Sequence, residues 1–162
     1  MSNHELSKNN IFMKEACQLA ETSIQLGGGP FGCIIIDSND NIIGRGHNRV
    51  TIDNDPTLHA EMVAIKNACR NQNTFNLSGA TLYTSCEPCP MCLSAIYWAR
   101  IDKVFYGNTR VDASNIGFDD SIIYEEVNKS MEERSLQMTQ IGHEDAKKSF
   151  DAWKNYDKRI DY

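Results

Sequence analysis

Two short stretches of the chain carry residue types that can do metal chemistry, His59-Ala60-Glu61 and Pro88-Cys89-Pro90-Met91-Cys92. Each stands where a helix is expected to begin. Cysteines three apart in a first turn share one helix face, so both sulfurs reach a single ion. Pro90 suits that turn, because the N–H it lacks has no intrahelical partner there. A helix N-terminus also favours thiolate over thiol, and thiolate is the form that ligates metal. His59, from the other helix, makes the third ligand. Three protein ligands leave a fourth tetrahedral position for water, the mark of a catalytic zinc site. Zinc lowers the pKa of that water to roughly 7. Glu61, two residues past the histidine, can approach the water without ligating. A carboxylate there can take a proton from the water and pass it to a substrate.

Two other readings compete. Cys86-x-x-Cys89-x-x-Cys92 offers a third thiolate for a closed structural site. Cys86, however, follows the expected strand Thr81–Ser85 and lies outside the helix start that carries the other two. An iron–sulfur run uses the same spacing but wants a further cysteine near position 96, where Ile96 stands. A lone C-x-x-C would be weak; the matched H-x-E upstream makes the open site the stronger reading.

The elements that must position these groups follow from periodicity. Residues 5–26 read as an amphipathic helix with Phe12, Ala16, Leu19, Ala20 and Ile24 on one side, stopped by Gly27-Gly28-Gly29-Pro30. Phe31 to Asp37 and Ile42 to His47 read as antiparallel strands about a polar turn. A polar loop over 48–58 leads to a helix at His59–Arg70, whose apolar side is Met62, Val63, Ile65, Ala68 and Cys69. A strand at Thr81–Ser85, a helix at Pro90–Ala99 and a strand at Lys103–Gly107 come next. Beyond 111 the pattern weakens: a short helix or loop to about 128, a strand near 135–141, and a helix over 143–156. Alternating helices and short strands imply a sheet covered on both faces.

At 162 residues, 41% hydrophobic and 23% charged, the chain reads as one soluble domain. Its longest apolar run, Cys33-Ile34-Ile35-Ile36, is far short of a membrane span, and the polar start lacks a secretory signal. A cytoplasmic protein with no membrane partner is expected. In that compartment cysteines ligate metal or pack, and Cys17, Cys33 and Cys69 read as small core residues. A net charge of −6 argues against a nucleic-acid partner and for a small, weakly charged substrate.

With these motifs in view, the chain resembles the cytidine-deaminase-like superfamily, for which H-x-E…P-C-x-x-C is the known zinc signature. Within it the chain resembles the bacterial guanine deaminases. The likeness extends through Gly28-Gly29-Pro30-Phe31-Gly32, Asn48, Asp55-Pro56-Thr57, the run 84–100, Gly117-Phe118-Asp119-Asp120, and a tail with Phe150, Trp153 and Tyr162. It implies a three-layer α/β/α fold with a five-stranded mixed sheet, a homodimer, and one Zn2+ per chain. It implies a hydrolytic attack at C2 of guanine that yields xanthine and ammonia. Asn48 would hydrogen-bond the purine, Phe31 would lie against its ring, and Asp120 would be a second acid near the departing amine. Residues 143–162 would form a helix and aromatic tail near the site, with Tyr162 closing over the pocket. Trp98 is left between lining the site and packing helix on sheet. Leu58 and Cys33 depart from the family's usual small residue and alanine. The same motifs fit a tRNA adenosine deaminase, and a guanosine or aminotriazine deaminase is a nearer alternative. A non-catalytic zinc-stabilised binding module would have no need of Glu61.

Overall fold

The computed structural model describes residues 3–162. Helix α1 (Asn3–Gln25) closes through Leu26 N–H to Thr22 O (3.1 Å), and Gly27 leaves it with a φ of +88° that suits glycine. Strands β1 (Gly32–Ile36) and β2 (Ile42–His47) form an antiparallel pair. Asp37 shapes their turn, its Oδ1 accepting from the Asn39 and Asn41 N–H groups at 2.8 and 2.9 Å. On the other side of β1 lies antiparallel β3 (Thr81–Cys86), followed by parallel β4 (Lys103–Asn108), giving the order β2-β1-β3-β4.

The sheet is therefore mixed, but it has four strands where five were expected. Residues 134–142, which include the stretch read as a strand at 135–141, form neither helix nor strand. The period-two spacing of Leu136 and Met138 is real, but a strand also needs a neighbouring edge for its N–H and C=O groups. The chain divides into two compact units, Met1–Asp120 and Ser121–Tyr162, and the second contains no strand to pair with. That unit holds α6 (Ser121–Asn128), a 3-10 turn (Met131–Glu133) and α7 (His143–Lys154). Glu126 ties its loops together, accepting from Lys129 Nζ at 2.7 Å and from Ser135 N–H at 2.8 Å. None of its residues is buried.

In the first unit the alternation along β1 sends Ile34 and Ile36 to one face and Cys33 and Ile35 to the other. Ile34 and Ile36 pack with Ala16 of α1 and Tyr83. Cys33 and Ile35 pack with Ala60, Ala64 and Ala68 of α3 (Ala60–Gln72) and Ile96 of α4 (Pro90–Trp98). Helices thus cover both faces in three layers. They come down to backbone contact: a Cβ added at Gly32 would stand 2.2 Å from Ala16 O, and one at Gly46 2.2 Å from Ala60 O. This closeness decides which helix face is buried. In α3 the alanines and Glu61 are buried, while Met62, Val63 and Ile65 are half-buried at the flanks. In α1 Ser23 is buried and Ile24 is 56% exposed, against the expected stripe. The loop read at 48–58 contains a one-turn helix α2 (Val50–Asp53), and α5 (Arg110–Asn115) follows β4. No helix among the described residues is long and apolar enough to cross a membrane.

Candidate active site

His59 and Cys89 play the same structural part: each is the N-cap of its helix, with extended backbone at φ −65°. Cys92 follows in the first turn of α4. His59 Nδ1 lies 3.5 Å from both Cys89 Sγ and Cys92 Sγ, and the three ligand atoms fall within 4.8 Å of one another. Tetrahedral zinc bonds of about 2.1 Å to nitrogen and 2.3 Å to sulfur would hold those atoms about 3.6 Å apart. The donor set therefore fits zinc in both type and spacing. The Cys89 thiol is drawn down to about 4, first because Cys92 donates to it and further by His59. Cys92, holding the shared proton in a buried place, moves up. Cys86 stands apart as the last residue of β3, its Sγ donating to Thr109 O at 3.7 Å and its thiol pushed up to about 11 by burial.

Glu61, two residues past the histidine, is 5% exposed. Its Oε1 accepts a hydrogen bond from Thr84 Oγ1 at 2.9 Å, and its Oε2 lies 3.4 Å from the Cys92 sulfur. Burial raises its carboxyl above the ordinary range, which suits a group that must both take and return a proton.

Asn48 is buried beyond the end of β2, and its backbone N–H donates to Phe31 O at 3.0 Å. Its Oδ1 accepts from the Gly29 and Val50 N–H groups at 3.1 and 3.2 Å. The amide oxygen is thereby used up within the protein, and the amide nitrogen is the end that can meet a ligand. The Ser23 hydroxyl donates to Asn48 O at 2.8 Å. Phe31 meets the ring of Phe118 edge-on, with centroids 4.9 Å apart and planes at 87°. Asp120 is half-buried; burial first, then the Cys89 thiolate, raises its carboxyl, and the Arg110 guanidinium opposes this. Trp98 is 64% exposed, which removes the reading of it as helix–sheet packing. Tyr162 ends the second unit, 71% exposed.

Residues 6–108 match the cytidine and deoxycytidylate deaminase zinc-binding region. Guanine deaminase of Bacillus subtilis is 46% identical over 161 residues, 99% of each chain. The chain belongs to this family of zinc-dependent deaminases, in its guanine deaminase branch. A crystal structure of the Bacillus subtilis enzyme superposes with a TM-score of 0.91 at 44% identity, covering 100% of this chain and 99% of that one. A tRNA-specific adenosine deaminase from Haemophilus influenzae is 38% identical over 105 residues, which is 65% of this deaminase and 61% of that one. A solved protein in complex with 2,6-diaminopurine is 31% identical, with a TM-score of 0.64 over 67% of this chain and 61% of its own.

The parts played by Thr84, Ser23 and Glu87 around the deaminase site, and the ring contact made by Phe118, escaped the sequence reading. Thr84 was recoverable. In β3, alternation puts Leu82 and Thr84 on the α3 face and Tyr83 on the other. Ser23 interrupts an apolar stripe, and its partner is a carbonyl 25 residues away, which no local pattern signals.

Proposed function

We propose that this deaminase hydrolyses guanine to xanthine and ammonia, with one zinc ion per chain held by His59, Cys89 and Cys92. The observation that carries the reading is the extent of likeness. It runs over 99% of the chain to a guanine deaminase but over only 65% to a tRNA deaminase. Bound at the three ligands, zinc would supply a hydroxide nucleophile by lowering the pKa of a coordinated water.

Glu61 carries the protons. With Oε1 held by Thr84, its other oxygen takes one proton from the attacking water and gives it to the ring nitrogen, then takes the second from the added hydroxyl and gives it to the leaving amine, which departs as ammonia. Asn48 can only donate from its side chain, because Gly29 and Val50 occupy the amide oxygen. It therefore selects an acceptor on the purine, such as the carbonyl oxygen of guanine, over the amino group that adenine carries at the same carbon. Phe31, braced by Phe118, lies against the base. Asp120 is the second acid near the departing amine. Tyr162, at the end of the tail of residues 143–162, takes part in selecting the base.

The working form is a homodimer. The exposed Ile122, Ile141, Phe150 and Ile160 of the second unit, which that unit does not itself bury, support association. A reducing cytoplasm suits the thiolate ligands. The test is ammonia release by the zinc-loaded protein from guanine, guanosine, cytosine, adenine and tRNA in parallel. Guanine should be turned over with the highest kcat/KM. A higher value on any other substrate overturns the reading.

A further inference from the structure

Glu87 lies in the loop between β3 and α4, two residues before Cys89, and the chemistry described above does not use it. Its backbone N–H donates to Asn108 O at 2.8 Å, and its Oε2 accepts from the Arg110 N–H at 3.0 Å. Beside it, Cys86 Sγ donates to Thr109 O at 3.7 Å. Three successive residues at the β4–α5 junction are thus held by two successive residues at the point where the chain leaves β3 towards Cys89.

What hangs from that junction is short and stiff. Thr109 caps α5 through a reciprocal pair of bonds with Asp112, at 3.2 Å to the Asp112 N–H and 2.8 Å back from the Thr109 N–H. Ala113 is buried, and its carbonyl accepts from the Phe118 N–H at 3.0 Å. The Phe118 ring then meets Phe31 edge-on. Arg110, whose amide Glu87 holds, also carries the guanidinium that opposes the rise in the Asp120 carboxyl. Both groups assigned to the substrate from this segment, the brace on Phe31 and Asp120, follow from where Arg110 sits.

We infer that Glu87 is a positioning residue, one that sets the Phe118–Asp120 segment relative to the metal ligands through its bond to the Arg110 amide. The inference rests on the proposed roles of Phe31 and Asp120. It needs an acceptor oxygen at position 87 and not a negative charge, which separates it from a general electrostatic effect. Among the bonds described, the Arg110 N–H is the one contact made by the carboxylate, so losing it releases the junction from one side only. Displacements of about 1 Å at a reacting centre change rates by up to roughly 10²-fold.

The experiment compares Glu87→Ala and Glu87→Gln with the full-length, zinc-loaded protein. It reads kcat and KM for guanine, zinc content, and amide exchange over residues 108–120. Glu87→Ala should keep its zinc, exchange faster in that segment alone, and raise KM at least about tenfold with a smaller fall in kcat, the pattern of a lost binding wall. Glu87→Gln, which retains an acceptor oxygen, should stay within about threefold of the parent by the same measure. Unchanged exchange in Glu87→Ala overturns the anchoring. Faster exchange with parental kinetics overturns the link to the site. Equal damage in Gln and Ala overturns the hydrogen-bond argument, and loss of zinc from Glu87→Ala reassigns the residue to the metal loop. If the parent itself releases no ammonia from guanine, the substrate reading has failed, and the exchange measurement still decides the anchoring.

Discussion

Gly46 is the position from which the placement of the chemistry can be disturbed without touching a chemical group. It lies in β2 with an ordinary strand φ, so alanine there meets no backbone penalty and acts only through contact. The added Cβ would stand 2.2 Å from Ala60 O, 2.5 Å from Ala64 N and 3.0 Å from Val63 Cβ. A carbon and a carbonyl oxygen approach to about 3.3 Å, so α3 must retreat by about 1 Å at Ala60. Ala60 lies between His59 and Glu61, and the retreat is passed to both. Ligand distances tolerate only about ±0.2 Å, and a 1 Å error at the reacting centre is worth up to roughly 10²-fold in rate. Overpacking of this kind also destabilises by about 1–3 kcal/mol. Gly46→Ala should therefore lose part of its zinc and about two orders of magnitude in ammonia release, with a modestly lower urea midpoint. Gly44→Ala is the internal control. Its Cβ meets Ala64 O at 2.5 Å and Ala68 Cβ at 2.8 Å, one turn further from His59. It should lose similar stability and much less turnover. Parental zinc content and turnover in Gly46→Ala would refute the claim that helix-to-sheet contact sets the ligand geometry.

Glu61→Gln keeps size and burial but cannot relay a proton, so zinc content should stay at the parental level while turnover drops at least ~10²-fold; retained turnover rejects the assignment. Cys86→Ser should keep its zinc, because Cys86 Sγ bonds Thr109 O and stands outside the ligand group, whereas Cys89→Ser should lose most of it. Stoichiometric metal loss from the Cys86 variant would restore a four-ligand site. Deleting residues 157–162 removes Tyr162 but spares Phe150 and Trp153. The truncated protein should remain zinc-loaded, lose guanine turnover and gain relative activity on guanosine, whose ribose at N9 a tail over the base would exclude. Unchanged guanine kinetics would refute a lid.

What could be read from the sequence was what acts over one or two turns of backbone. His59, Cys89, Cys92 and Glu61 were legible because a helix start fixes the direction of its first side chains, and the spacing then says which of them meet. The strand pairs of β1 and β2 were legible for the same local reason, in alternation about a turn that Asp37 organises. The reading failed where a neighbour across space decides the outcome. Periodicity gave α3 a stripe of its larger apolar residues. Gly44 and Gly46 instead let the sheet approach so closely that alanines take the centre and pull Glu61 into the buried face. Leu136 and Met138 have strand spacing, but no edge in their own unit offers bonds to their backbone. Glu87 reads as one more loop carboxylate because its partner, the Arg110 amide, is 23 residues away and has no side-chain signature. The cluster of His59, Cys89 and Cys92 with Glu61 beside it was therefore legible in isolation, while the placement of the residues around it depends on contacts that only the folded chain brings together.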